Sequence, residues 1–141
     1  MAYCTRQDLV DRIGEDLLTE ISDLERHGQV GEDRVTQAID AASAEIDSYA
    51  MQRYPVPFSP VPAMVKQTAV TIAVFKLFAS HGFATESADK VHADAYKAAV
   101  DWLKLLGKGQ VSIGVLQPPK DLGASVQANE RVFTRGKMEG F

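Results

Sequence analysis

The side chains best suited to metal binding or nucleophilic catalysis in this sequence are three histidines and a single cysteine. His27 stands in a glycine-flanked stretch, His81 at a predicted helix end and His92 on a mostly polar helix face. No second ligand stands at metal-binding spacing from any of them, so the sequence predicts no metal site. Cys4 lies near a predicted helix start, where a thiol pKa can be lowered, but the sequence identifies no histidine to activate it. We therefore expect neither a metal centre nor a cysteine nucleophile.

The sequence carries no recognisable motif for other chemistry. Lys108 is followed by glycine and lacks the upstream glycine of a phosphate-binding loop, and the sequence contains no HExxH, GxSxG or glycine-rich dinucleotide pattern. The carboxylates are predicted on solvent-facing helix sides, not in the matched, environment-tuned pair that acid–base catalysis requires. We expect a protein that is not an enzyme and that binds no cofactor.

Charge is unevenly distributed along the chain. Residues 1–54 carry five Lys and Arg against twelve Asp and Glu, whereas residues 55–141 carry ten against seven. An acidic front half is unlike the clustered basic surface with which proteins displace counterions from nucleic acid. The charge distribution therefore counts against one possible function, that of a small DNA-binding or regulatory helical protein.

Length and composition favour one soluble domain. A chain of 141 residues with 45% hydrophobic residues can bury a self-sufficient core. The N-terminus lacks the apolar segment of a signal peptide, and Lys66 and Lys76 interrupt the most apolar stretch, so we expect no membrane span. We expect the protein to be made in the cytoplasm.

Two short helices and one long helix are predicted in the first half. Thr5 and Asp8 have the spacing of a capping box, and Gly14 ends the helix that follows. The stretch EDLLTEI forms a second short helix. Apolar residues at steps of three and four then predict a helix from Glu32 to Arg53, with Gly31 as its N-cap.

Two further helices complete the predicted bundle. Residues 62–80 are apolar nearly all round, which favours a buried central helix with Pro62 in its first turn. Thr85 or Ser87 can cap the last helix, which Gly107 and Gly109 end. Its predicted buried face consists of Val91, Ala95, Ala98, Ala99, Trp102, Leu103 and Leu106. The fold class is therefore all-α, a small bundle of three long helices and short N-terminal helices spanning residues 1–108.

A proline-rich stretch, RYPVPFSPVP, separates the two longest predicted helices. It could be a domain linker, a PxxP docking peptide or a fixed corner of one fold. In a solvated linker the apolar side chains of Val56 and Phe58 would be exposed to water. Their presence therefore favours a fixed corner of one fold. The residues predicted to form this corner are Tyr54, Pro55, Pro57, Pro60 and Pro62. Whether Val56 and Phe58 face the bundle or another subunit stays open.

The last thirty or so residues, 109–141, are predicted to be an extended arm. Val111, Ile113 and Val115 alternate with small or polar residues, which indicates a short strand. This strand either pairs with residues near Val126 to Val132 as a hairpin or adds to a neighbouring chain. The candidate protein-binding residues of the arm are Val111, Ile113, Val132, Phe133, Arg135, Met138 and Phe141. Apolar anchors among basic residues are typical of a segment that orders on contact with a partner.

Four stretches are distributed in order over nearly the whole chain: TRQDLVDRIGEDLL, AIDAASAEIDSYAMQRYPVPFSPVP, AVDWLKLLGKGQVSIG and RVFTRGKMEGF. Together they resemble the Mu-like prophage family of head–tail joining proteins. The most specific match is the run made by Ile46, Asp47, Tyr49, Arg53, Tyr54 and Pro55. The terminal GF is a second, less specific match.

The resemblance implies a structural virion protein at the head–tail junction of a tailed phage or prophage. Such proteins resemble the helical connectors of long-tailed phages, which form a ring beneath the portal. The resemblance implies that this ring has twelve subunits. The implied partners are copies of the same chain, the portal protein, a tail terminator or tail-completion protein, and DNA that passes without sequence-specific binding. If acidic helix faces line the channel, Asp40, Glu45 and Asp47 would repel that DNA.

Overall fold

Five α-helices make up the part of the chain that the structure, a computed structural model, describes: residues 2–82 and 89–114. They are α1 (Arg6–Ile13), α2 (Glu15–Ser22), α3 (Glu32–Ala50), α4 (Ala63–His81) and α5 (Asp89–Lys108). The predicted all-α bundle of two short and three long helices is thereby confirmed. The expected caps of the last helix, Thr85 and Ser87, lie outside the described residues.

The N-terminal helices begin and end where the sequence predicts. The Thr5 amide donates a hydrogen bond to Asp8 Oδ2 over 2.8 Å, and the Asp8 amide donates one to Thr5 Oγ1 over 3.3 Å, which completes the capping box of α1. Gly14, with φ of 84°, ends α1 and precedes α2. A positive φ suits glycine because it has no Cβ to clash with the backbone.

Helix α3 begins after Gly31, as predicted, and this glycine allows a close approach to α2. Its amide donates a hydrogen bond to Ser22 Oγ over 3.0 Å, and a Cβ added at Gly31 would lie 2.3 Å from the Ser22 carbonyl oxygen. The helix ends at Ala50, so the predicted end at Arg53 was three residues too late. The amides of Arg53 and Tyr54 both donate to the Ala50 carbonyl, which turns the chain inward ahead of Pro55.

Helix α4 is the centre of the bundle and contacts the other four helices. Nine of its residues are buried, and they lie on all sides: Val65, Thr68, Ala69, Val70, Ile72, Ala73, Val74, Leu77 and Phe78. By length and composition α4 could also cross a membrane, but core packing explains the same apolar composition. Pro62 is the N-cap of α4 with extended backbone, one position before the predicted first turn.

Helix α5 packs on α3 and α4 with only part of the predicted face. Of the predicted set, Leu103 and Leu106 are buried and Ala99 and Trp102 are partly buried against the core, whereas Val91 is 68% exposed and Ala98 is also exposed. The row that faces the bundle consists of His92, Tyr96, Ala99, Leu103 and Leu106, so its first two members were not predicted. Apolar residues on α5 cover a wide arc, so periodicity alone did not decide which part of the arc meets the bundle.

The C-terminal end of α5 has a Schellman-type cap. The Gly109 amide donates to the Leu106 carbonyl over 3.0 Å, and the Gln110 amide donates to the Leu105 carbonyl over 2.9 Å. Gly109 has φ of 74°, as the cap requires, whereas Gly107 lies inside the helix rather than ending it. Val111–Gly114, the described part of the predicted strand, is not a strand. Its two apolar side chains pack instead against the bundle.

Candidate interaction site

The proline corner, residues 54–62, is fixed to the bundle by aromatic side chains. Tyr54 and Phe58 are each 3% exposed, and their ring centroids lie 5.9 Å apart. Phe58 also contacts Tyr3 with a ring separation of 5.8 Å. Val56 is half-buried against the same core. The aromatic side chains therefore point inward, which answers the question that the sequence left open for Phe58.

The prolines of the corner lie on its outer side. Pro55, Pro57 and Pro60 are exposed, and Pro62 is half-buried where α4 begins. The peptide bonds before Pro57 and Pro60 are cis. The inward anchors and outward prolines match the predicted rigid corner within one fold, rather than a linker between two domains.

The Tyr3 hydroxyl joins the N-terminus, α3 and the corner. It donates a hydrogen bond to Asp47 Oδ1 and accepts one from the Phe58 amide over 3.1 Å. The Tyr3 amide donates to Ser43 Oγ over 3.0 Å. Burial, together with the hydrogen bond to Asp47, raises the pKa of Tyr3 to about 12. Asp47 is therefore held by an intrachain partner.

Glu45 is also held within the subunit. The Tyr96 hydroxyl donates to Glu45 Oε1 over 2.8 Å, and Lys76 Nζ lies 3.0 Å from Glu45 Oε2. The Tyr96 ring stacks on Phe75 with centroids 4.0 Å apart and planes 7° apart. Burial and the hydrogen bond to Glu45 raise the pKa of Tyr96 to about 12. This cluster ties α3, α4 and α5 together with one carboxylate.

The three acidic residues proposed for a channel thus have different surroundings. Asp40 is exposed on α3, whereas Glu45 and Asp47 are half-buried and engaged with Lys76, Tyr96 and Tyr3. The prediction that all the carboxylates of α3 lie on solvent-facing sides was wrong for these two. Of the three, Asp40 has the exposure that a channel role needs.

The ends of α3 and α5 are in close contact. Arg53 Nη1 donates a hydrogen bond to the Lys108 carbonyl over 3.2 Å, and a Cβ at Gly109 would lie 2.2 Å from Arg53 Cζ. A Cβ at Gly107 would lie 3.0 Å from the Tyr49 carbonyl oxygen. These close approaches hold the C-terminal end of α5 against the end of α3.

The structure places two of the seven predicted protein-binding residues of the arm. Val111 and Ile113 are half-buried and pack against the core of their own subunit. The other five lie outside the described residues: Val132, Phe133, Arg135, Met138 and Phe141. A binding role for these seven residues stays a prediction.

The single cysteine does not have the lowered pKa that its place near a helix start suggested. Cys4 is 3% exposed, and burial with the nearby charge of Asp8 raises the pKa of its thiol to about 12. At neutral pH the group is a protonated thiol that fills the core, which is a poor nucleophile. Of the histidines, His92 stacks on Phe78 with ring centroids 4.4 Å apart.

Sequence reasoning missed the Tyr3 and Glu45 hydrogen-bond clusters. Tyr3 and Asp47 are 44 positions apart in the sequence, and Tyr96 and Glu45 are 51 positions apart. The one available signal was the tyrosines themselves, because a buried or partly buried tyrosine needs a hydrogen-bond partner for its hydroxyl.

The described residues form a small all-α bundle with a proline corner between α3 and α4. Within that class, the chain belongs to the family described as Bacteriophage Mu, Gp36, which matches residues 3–131. The Mu-like prophage FluMu protein gp36 of Haemophilus influenzae is 27% identical over 143 residues, covering 99% of this chain and 97% of the relative. Gene product J of Escherichia phage Mu is 30% identical over 149 residues, covering 100% and 99%. The predicted Mu-like phage family is confirmed.

Proposed function

We propose that this protein is a structural virion component that forms a ring at the head–tail junction, below the portal. It closes the packaged head and offers the surface to which the tail attaches. The observation that carries the proposal is the family match, which runs from residue 3 to residue 131 and joins this chain over its whole length to proteins of phage Mu and a Mu-like prophage. The proposed head–tail role follows from the resemblance of four stretches of the sequence to head–tail joining proteins.

The partners follow from the same role. Copies of this chain form the ring, the portal binds one side, and a tail terminator or tail-completion protein binds the other. DNA passes through without sequence-specific contact, and the protein has no enzymatic activity. A ring needs two different complementary surfaces on each subunit, and an arm leaving the bundle at Arg53 and Gly109 offers one of them.

Partner-dependent assembly tests the proposal. We expect the purified full-length protein to form a larger complex with purified portal in size-exclusion chromatography than either protein forms alone. Truncation after Glu130 is expected to abolish that complex and leave helix content by circular dichroism nearly unchanged, because the five helices of the described residues all lie before the truncation.

The matched control is Thr134→Ala, which alters the same segment but keeps every predicted anchor. A truncated protein that still assembles on the portal would show that the arm is not the docking element. A full-length protein that ignores the portal but shifts DNA in a salt-dependent gel assay would replace the head–tail role with the DNA-binding alternative.

Neutralising Asp40 tests the channel role of the acidic helix face. Asp40→Asn removes an exposed charge without breaking an intrachain contact of the kind that holds Glu45 and Asp47. We expect ring assembly to be unchanged, and DNA retention or ejection by assembled particles to change, because like-charge repulsion from the wall is reduced. Glu20→Gln, an exposed acidic residue of α2, is the control. Asp40 on the outer surface of the assembled neck would contradict the channel role.

A further inference from the structure

Helix α5 carries an apolar row that the described part of its own bundle leaves partly uncovered. The row, called here the outer row, has spacings of four and three residues and consists of Val91, Ala95, Ala98, Trp102 and Leu105. Each member precedes by one residue a member of the row that faces the bundle. Val91 is 68% exposed and Leu105 is 38% exposed. Ala98 is exposed and Ala95 is half-exposed, whereas Trp102 is partly buried against the core and forms the border between the two rows.

Two carboxylates border the outer row. Asp94 and Asp101 are exposed, and each has outer-row residues three positions before it and four positions after it. Lys90, Lys97 and Lys104 are exposed as well but have no outer-row residue at those spacings, so they lie further round the helix. Lys104 Nζ lies 3.8 Å from Asp101 Oδ1, a surface pair of little energetic weight. The edge of the row is therefore acidic.

We propose that the outer row of α5 is the acceptor for the C-terminal segment, residues 131–141, of a neighbouring copy of this chain. That segment has the complementary composition: Val132, Phe133, Met138 and Phe141 are apolar, and Arg131, Arg135 and Lys137 are basic. The apolar residues cover the outer row, and the arginines pair with Asp94 and Asp101.

The spacing of the charges fits this pairing. Asp94 and Asp101 are seven residues apart on a helix, which separates them by about 10 Å at ~1.5 Å per residue. Arg131 and Arg135 are four residues apart, which separates them by about 13 Å in an extended segment at ~3.3 Å per residue. The length of an arginine side chain easily covers the difference.

The acceptor and the segment are different surfaces of one chain, so the contact is heterologous. Contacts of that kind repeat from copy to copy and close into a ring when the rotation allows it. The inference rests on the proposed ring and specifies the subunit contact within it. Both surfaces lie on every copy, and residues 115–130 provide the connection between bundle and segment.

Disulfide trapping between two different copies tests the contact. One chain carries Ala98→Cys and a second, tagged to differ in size, carries Thr134→Cys; the native Cys4 is buried. With portal present and under mild oxidation, we expect a covalent dimer of the mixed pair. Ala41→Cys, an exposed alanine of α3, replaces Ala98→Cys in the control and is expected to give at least tenfold less product.

Charge reversal gives a second measurement. Asp94→Arg with Asp101→Arg is expected to weaken assembly about tenfold or more, and so is Arg131→Asp with Arg135→Asp, whereas the four changes together restore it. Val91→Asp is expected to block assembly without unfolding the monomer. Met51→Asp, at a matched 65% exposure outside α5, is expected to leave assembly intact.

The outcomes separate this inference from the proposed function. A portal complex that forms normally without the mixed disulfide, or with Val91→Asp, overturns the α5 acceptor but leaves the head–tail role standing. A third chain carries both Ala98→Cys and Thr134→Cys. If a disulfide forms within that chain while the mixed pair gives none, the segment covers its own α5, which also overturns the contact between copies. No portal complex under any condition overturns the head–tail role itself.

Discussion

Replacing Phe58 with alanine is expected to lower the free energy of unfolding by about 3–5 kcal/mol, the usual range for removing a buried phenylalanine. Phe58 is 3% exposed and its ring contacts those of Tyr3 and Tyr54. Its loss leaves a cavity between the N-terminus, the end of α3 and the corner. Chemical denaturation followed by circular dichroism measures the effect.

The control for this substitution is Pro55→Ala, three residues away in the same corner. Pro55 is exposed, so its replacement is expected to cost less than about 1 kcal/mol, chiefly through greater freedom of the unfolded chain. A Phe58→Ala protein as stable as Pro55→Ala would show that the corner is not anchored in the core. The corner would then act as a flexible connection.

Stability is expected to fall steeply between pH 9 and pH 12. Folding raises the pKa of Cys4 from 9.0 to about 12, and those of Tyr3 and Tyr96 from 10.0 to about 12. In each case burial is the largest cause. The unfolded chain releases these protons at lower pH than the folded chain, so rising pH favours unfolding. The stabilisation is fully present below pH 9 and is lost as pH approaches 12.

Cys4→Ala distinguishes the contribution of the thiol to this pH dependence from the contribution of the tyrosines. Each buried group contributes a slope of up to about 1.4 kcal/mol per pH unit between its two pKa values. The wild-type free energy of unfolding, from urea titrations at successive pH values, should therefore begin to fall near pH 9. For Cys4→Ala the fall should begin near pH 10, where the tyrosines titrate. Identical profiles for the two proteins would show that the thiol ionises as readily in the folded state as in the unfolded chain.

The sequence by itself determined the features that depend on near neighbours in the chain. The Thr5–Asp8 capping box, the Gly31 start of α3 and the all-round apolar composition of α4 were all predictable. Each rests on contacts between residues at most a few positions apart, or on composition along one helix. The prolines likewise made residues 54–62 recognisable as a corner.

Only the tertiary structure decided which side chains meet across the bundle. Glu45 forms an ion pair with Lys76 and a hydrogen bond with Tyr96, and Asp47 forms a hydrogen bond with Tyr3. The sequence had suggested that both carboxylates face solvent. On α5 the tertiary structure turned the row containing His92 and Tyr96 inward and left Val91 outside. The broad apolar arc of α5 permits either orientation of the helix. The orientation depends on contacts with other helices, some of them more than forty residues away in the chain. Periodicity within one helix contains no information about those contacts.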